Sequence, residues 1–592
     1  MNVAFSPTSS LLRPARACTF RRSWQSLMNV AVLVIGLLWL GSADGARARA
    51  ADFPVADATV SATAPSLDWR PVEGTRDDMV VRVTMLQRDR RWADVVRICE
   101  TAARKGTLAP ELLGHYDLAK IHCDIARRYG ENAFRSQLST LAETDARRVY
   151  AEVLARIASH HVESPHFARL VTRGCLAMDV AIDDPLFVSV YAAQATPDRR
   201  MHYRQEVARI TAGRTVSSQA DAETVATWIA RVAHSTLGIP PAVTMMELTA
   251  AAMGGLDEYS TFLTTGQLND LYSQIEGNFV GLGIELKTAT DGLLVVNVIT
   301  GSPAELAGLR KGDHLVGVGG KSIGGLNVDE SAQLLQGPEG SLVTLAILRA
   351  PSPARAVTVR REHVEVPSVE EIKIVDAAAG VAYLKISSFQ KTTAADLEAA
   401  LRRLDSAGMR SLVIDLRGNP GGLLSSAVDV ADLFLERGLV VATRGRSSEE
   451  DFNYSASRPG TWKMPLAVII DSDSASSSEI FAGAIRDHAR GTLVGTRSYG
   501  KGSIQGIFPL QVAGVGMRLT TAKFYSPNGH PYSRVGVEPD LQVHTAAKPL
   551  DSGTEAIETP RVDASLQTAI AAARQMLPLP AAKSVARSTV AR

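Results

Sequence analysis

From about residue 375 the chain repeats one pattern: a short apolar run, a break of small or polar residues, then an amphipathic stretch. Val381-Ala-Tyr-Leu-Lys-Ile386 precedes a helical stretch over residues 393–407. Ser411-Leu-Val-Ile-Asp415 precedes one over 425–436, and Leu466-Ala-Val-Ile-Ile470 precedes one over 477–489. Apolar runs too short for a helix, bounded by turn residues, are strands buried on both faces. Such strands alternating with helices predict an α/β layer with partly parallel pairing, over residues 366–548.

The texture differs upstream. Leu293-Leu-Val-Val-Asn-Val-Ile299, His314-Leu-Val-Gly-Val318 and Leu342-Val-Thr-Leu-Ala-Ile-Leu348 are short β-like runs bounded by glycine, and they predict a β-rich domain over 276–365. Between about 76 and 265, Ala, Arg and Leu abound at helix spacing with few Gly or Pro, and no repeat is evident. This stretch divides into a helical extension without an assigned role (76–215) and a helical segment belonging to the core (216–275). Residues 51–75, rich in Ala, Ser, Thr and Pro, read as a linker. Residues 549–592 read as a tail, partly disordered. The expected class is a multidomain α+β protein with an N-terminal helical region, a small β-rich domain and an α/β core.

Composition excludes some functions. The 592 residues carry a net charge of +1, which leaves no electrostatic footprint for nucleic acid. Arg13, Arg16, Arg21 and Arg22 precede the apolar run Val30–Leu40, and small residues follow up to Ala50. That order describes an export signal over residues 1–50, cleaved after Ala50, and hence an exported, periplasmic protein. The alternative is an uncleaved segment that tethers the chain to a membrane. Cys18 lies in that signal, which leaves Cys99, Cys123 and Cys175, an odd set without metal-ligand spacing that reads as structural cysteines.

Three polar motifs follow the apolar strands. Asp471-Ser-Asp-Ser-Ala-Ser-Ser-Ser-Glu-Ile480 lies where a strand ends and a helix begins. Serine and aspartate there are commonly N-caps, but the same turn exposes a nucleophile beside a backbone N–H able to stabilise an oxyanion. No histidine is suitably placed as its base, whereas Tyr499-Gly-Lys501-Gly-Ser-Ile-Gln505 holds a lysine between glycines. Lysine accepts a proton near neutrality only when burial lowers its pKa, and Gln505 is the candidate to orient the amine. Asp415-Leu-Arg-Gly-Asn-Pro-Gly-Gly422 reads either as a glycine-rich turn or as a loop donating an N–H to the intermediate.

In this order the motifs resemble those of the C-terminal processing (tail-specific) serine peptidases with a PDZ domain. The resemblance spans residues 216–545 and extends to Gly255-Leu-Asp-Glu-Tyr-Ser260, Gly281-Leu-Gly-Ile-Glu285, Gly380–Phe389 and Gly536-Val-Glu-Pro-Asp540. It implies a ClpP/crotonase-like core with Ser476 as nucleophile, Lys501 as general base and Gln505 positioning the lysine. It implies oxyanion donors at Gly421, Gly422 and Ser477. It also implies a PDZ carboxylate-binding loop at Gly281, Leu282, Gly283 and Ile284, which captures the C-termini of protein or peptide substrates. No metal or organic cofactor is implied. Ser477 stands where the family usually has alanine and Ser503 where it usually has threonine, so Ser474, Ser477 and Ser478 compete with Ser476 for the role of nucleophile. The helical extension is open to a docking partner. A non-catalytic peptide-binding scaffold on the same fold is the alternative, and its signature is loss of the serine or lysine.

Overall fold

The computed structural model describes residues 31–35, 76–104, 106–289, 292–324, 334–349, 352–543 and 563–577. The segments read as signal and linker otherwise lie outside the described residues, as does the rest of the tail. Among the described residues, no helix is long and apolar enough to cross a membrane.

The predicted α/β layer is a sheet in the order Val369–Asp376, Val381–Ile386, Ser411–Asp415, Leu466–Ile470, Thr492–Gly495, Leu541–Gln542. Only the first strand is antiparallel to its neighbour; every later pair is parallel. The three strands at 411–415, 466–470 and 492–495 therefore end on one side of the sheet. Each polar motif follows one of these strands, so three motifs far apart in sequence meet along one edge. Ser411–Asp415 and Leu466–Ile470 are buried along their whole length, which is what continuous apolar runs between two layers require. Helices Thr393–Ser406, Leu424–Asp432 and Ser477–Asp487 follow the strands as expected.

A second, largely antiparallel sheet lies beside the first, ordered Gly421–Leu423, Ala31–Ile35, Ser503–Pro509, Gly516–Tyr525, Gly438–Gly445, Phe452–Ala456. Thr261–Leu263 pairs with Gly516–Tyr525 away from this path. The β-rich domain is a third sheet, ordered Ile284–Ala289, Gly292–Val298, His314–Val318, Leu342–Leu348, Arg355–Arg360. The strands entering and leaving it, Asn278–Gly281 and Glu362–Glu365, pair with each other and close its neck.

The helical region does not divide near residue 215. One core runs from Ile121 to Met253 and takes in Phe508, Met517 and Leu519 of the second sheet. Its centre is Pro241–Gly254, in which every residue from Ala242 to Met253 is buried. A helix apolar on all faces is stable only when surrounded. Its lone carboxylate, Glu247, is met by Arg128 at 2.5 Å and the Tyr129 hydroxyl at 2.8 Å. The helices thus back the hairpin that carries Gln505. Among the described residues, Cys99, Cys123 and Cys175 are free thiols, and burial pushes Cys99 and Cys175 up to about 11 and Cys123 up to about 12.

Within the segment read as a tail, Ala564–Gln575 forms a helix against the α/β sheet, with Ala569 and Ala573 packed on Val381, Val413 and Ala467. Asp563 caps it, accepting from Leu566 N at 3.0 Å, and its carboxylate also receives both terminal nitrogens of Arg417 at 2.9 and 2.8 Å. Asp563→Ala removes cap and ion pair together, a loss of about 1–2 kcal/mol locally. Hydrogen exchange in 564–575 is expected to accelerate about ten-fold or more while exchange in the buried parallel strands stays unchanged.

Candidate active site

Ser476 sits at the turn between Leu466–Ile470 and Ser477–Asp487, with φ +62°. Non-glycine residues avoid this region unless the surroundings impose it, and here they do. Ala475 N donates to Asn419 O at 3.0 Å, Glu479 N donates to Ser476 O at 2.9 Å, and Ser476 N donates to Glu479 Oε2 at 2.7 Å.

The hydroxyls of the serine run divide clearly. Ser474 Oγ donates to Leu416 O at 2.8 Å, Ser477 Oγ to Gly422 O at 3.0 Å and Ser478 Oγ to Asn419 O at 3.0 Å. All three fasten the glycine-rich loop to the turn. Ser476 Oγ is buried and has no partner. The competing serines are structural fasteners, and the hydroxyl that Ser477 adds relative to alanine ties down the carbonyl of Gly422.

The loop itself is held by Asn419, whose Nδ2 donates to Ile386 O at 2.9 Å while its Oδ1 accepts from Gly421 N at 2.8 Å. That bond changes the expectation for Gly421: its amide is already engaged, so it is not a free oxyanion donor. What Gly421 provides is space. Its φ is +107°, and a Cβ there would lie 2.7 Å from Ser476 Cβ. Gly422 follows at φ +146°. The Ser477 amide is the first of its helix and has no intrahelical acceptor, so with the helix dipole behind it the position favours negative charge.

Lys501 is 2% exposed. Burial holds its amine well below the usual lysine range, and the charge of Arg518 adds to this; Glu479, Glu258 and Asp257 oppose. Its Nζ lies 4.9 Å from the centre of the Tyr259 ring. The flanking glycines permit a close approach: a Cβ on Gly502 would lie 2.2 Å from Ser533 N. Gln505 Nε2 donates to Ser503 Oγ at 2.9 Å, and its Oε1 is buried without a partner. Gln505 makes no hydrogen bond to Lys501 here, so the expected positioning contact is absent from this arrangement. Ser503 does for Gln505 what the residue type permits, since the bond uses only its hydroxyl.

The group that joins serine to lysine was not singled out from sequence. Glu479 is fully buried, and its Oε2 accepts from Ser476 N at 2.7 Å and Lys501 N at 2.9 Å. Its Oε1 accepts from Gly500 N and Ser498 Oγ, each at 2.6 Å. One carboxylate thus ties the backbone of the serine turn to that of the lysine loop. Burial raises its pKa to about 7, against four donated hydrogen bonds that favour the ion. A glutamate three residues after a serine looks in sequence like an ordinary capping box, which is why it gave no separate signal.

A second cluster secures Tyr259. Asp257 accepts from Ser260 Oγ at 2.7 Å, Thr520 Oγ1 at 3.0 Å and the Tyr259 and Ser260 amides at 2.7 and 2.8 Å, with His161 Nε2 at 3.0 Å. Burial alone would raise Asp257, but these bonds hold it down at about 2. Arg518 Nε donates to Tyr259 O at 3.1 Å. Gly255-Leu-Asp-Glu-Tyr-Ser260 therefore reaches the lysine from the helical side.

In the β-rich domain, Leu282 O and Gly283 O accept from Ala304 N and Ile299 N at 2.9 Å, so these carbonyls face inward. Gly283 has φ +80°, and a Cβ there would meet Ser302 Cβ at 2.2 Å. Ile284–Ala289 begins directly after and pairs on one side with Gly292–Val298; it is the edge strand of its sheet.

Comparison with known proteins fits this geometry. Residues 380–543 match peptidase family S41, and residues 294–349 match a PDZ domain. A carboxy-terminal-processing protease of Bartonella bacilliformis is 37% identical over 295 residues, 49% of this chain and 67% of that protein. The chain belongs to peptidase family S41. A probable CtpA-like serine protease of Staphylococcus aureus is 33% identical over 306 residues, 50% of this chain and 60% of its own. The chain thus spans between about three fifths and two thirds of these S41 relatives, and about half of it lies outside each match.

Glu479→Gln places an amide N–H₂ against two of the four donors and leaves them unsatisfied. That costs about 1–3 kcal/mol in alignment of the site. The expected result is a 10- to 100-fold lower rate of labelling of this S41 peptidase by a serine-directed fluorophosphonate, with the circular dichroism spectrum unchanged.

Proposed function

We propose that the protein is an exported serine endopeptidase of the C-terminal processing type, in which Ser476 attacks and Lys501 is the general base. The observation that carries this reading is the one unpartnered hydroxyl among the buried Ser474, Ser476, Ser477 and Ser478. It is buried, set on a strained turn, and linked through one carboxylate to the backbone of a buried lysine.

A substrate presents its C-terminus to the PDZ loop Gly281–Ile284 and adds a strand along the edge Ile284–Ala289. The chain then reaches the turn at 476. Neutral Lys501 takes the hydroxyl proton as Ser476 Oγ bonds to the scissile carbonyl carbon. The oxyanion is received by the Ser477 and Gly422 amides. As the C–N bond breaks, Lys501 returns the proton to the leaving amine, leaving an ester on Ser476. Water, deprotonated by the same amine, attacks the ester; the acid product leaves and Ser476 recovers its proton. Gln505 Oε1, without a partner in the free enzyme, is available to accept from the amine during these transfers. Export to the periplasm is proposed from the basic and apolar segments before residue 50.

Ser476→Ala and Lys501→Ala are each expected to lower kcat/KM on a protein with an apolar C-terminus by at least about 10³-fold. Wild-type rates in either variant would sink the assignment. Because burial depresses Lys501, the amine is neutral over a pH range in which a solvated lysine is charged. The sign follows: protonation as pH falls removes the base, so kcat/KM rises with pH through one ionisation well below the ordinary lysine value of 10.5 and then levels. A profile that rises only near 10.5 would contradict the role given to Lys501.

A further inference from the structure

The second sheet contains a strand that is not part of the peptidase body. Ala31–Ile35 lies between Gly421–Leu423 and Ser503–Pro509, antiparallel to both. Its register is Leu33, Val34 and Ile35 opposite Leu423, Gly422 and Gly421 on one side. On the other, Ala31, Val32 and Leu33 lie opposite Ile507, Gly506 and Gln505. The two flanking strands pair with each other nowhere. With residues 31–35 lifted out they would face one another across two strand spacings, roughly 10 Å, each presenting unpaired N–H and C=O groups. That is a slot one strand wide.

The slot's walls carry the site. One edge is the glycine loop against Ser476; the other begins two residues after Lys501 and carries Gln505. Two of the buried side-chain oxygens without partners lie here: Gln505 Oε1 on one edge strand, and Ser476 Oγ on the turn against which Gly421 of the other edge packs. The floor is apolar: Leu423 and Ile507, one from each edge, pack in one cluster with Leu268, Leu271 and Ile275. The direction of the strand is informative as well. It runs from Ile507 toward Gly421, so Ile35 is the described residue of the segment nearest the serine turn.

We propose that this slot receives substrate as an extended apolar strand, its residues before the scissile bond paired on both sides. We propose further that residues 31–35 fill the slot as an internal blocking segment while the N-terminal segment remains attached. This rests on the serine–lysine reading of the site. In sequence the five residues, Ala-Val-Leu-Val-Ile, are apolar, uncharged and mostly β-branched, the character that strands favour. They also lie within the apolar run of the export signal, so one segment cannot occupy the slot and engage a membrane or export machinery at once. Removal of the signal then opens the peptidase.

The test uses the full chain with Ser476→Ala, so that binding is read without turnover. The probe is a fluorescent peptide copying Val30–Gly36 with flanking lysines, followed by anisotropy. Val32→Pro/Val34→Pro, added to the same chain, removes two backbone donors from the internal strand and should empty the slot. The doubly proline-substituted chain is expected to bind the peptide at least about ten-fold more tightly, because the competing internal state is gone. In the wild-type serine background the same pair of prolines should raise kcat/KM on a reporter by a similar factor, through KM. Equal peptide affinity with and without the prolines, or no binding in either, overturns the proposal. The two readings separate cleanly. Peptide binding without hydrolysis of any reporter removes the serine–lysine assignment and leaves the slot, whereas hydrolysis that the peptide does not inhibit removes the slot and leaves the assignment.

Discussion

The arrangement of the candidate site depends on the buried carboxylate of Glu479. Serine turn and lysine loop follow two different strands, and sheet pairing alone sets only where those strands end. Four donors from Ser476, Ser498, Gly500 and Lys501 converge on the two oxygens of one side chain. A buried ion is costly unless its hydrogen-bonding capacity is met, and here it is met entirely by the loops that must be aligned. Any displacement of either loop exposes that cost, so the carboxylate acts as a rigid register mark between them. It also raises the affinity of Lys501 for a proton, and the opposing effects of burial and Arg518 are what keep the amine low.

A second economy of means appears in the serine run. Ser474, Ser477 and Ser478 each give a hydroxyl to a carbonyl of the 416–422 loop, and this holds Gly421 against Ser476 at a distance that only glycine tolerates. The strain at Ser476 is sustained by these neighbours. The helical body contributes from the other side. Its core includes residues of the hairpin bearing Gln505, and its Asp257 cluster fixes the ring that lies over Lys501. Helices, loop and hairpin are therefore parts of one site and not appended domains.

Much of this was legible in advance. The apolar runs at 381–386, 411–415 and 466–470 are strands with the predicted bounds, because continuous burial on both faces leaves no other assignment for runs so short. The β-rich domain at 276–365 and the three polar motifs were read from turn residues and order. What could not be read were the contacts between motifs: the engagement of Gly421 N by Asn419, the absence of a Gln505–Lys501 bond, and the linking role of Glu479. Nor was the helix Ala564–Gln575 expected, because its small apolar face of alanines resembles a low-complexity tail until a sheet is there to receive it.

The sequence by itself determined which segments are strands, where polar chemistry follows them, and which family the motifs belong to. These follow from local periodicity, turn chemistry and order, all of them properties of neighbouring residues. Only the tertiary structure decided which serine hydroxyl is free and which are fasteners, and what lies in the gap between Gly421–Leu423 and Ser503–Pro509. The reason is physical: whether a hydroxyl is satisfied or a strand edge is paired depends on groups brought from elsewhere in the chain, and residues 31–35 arrive there from nearly 400 positions away.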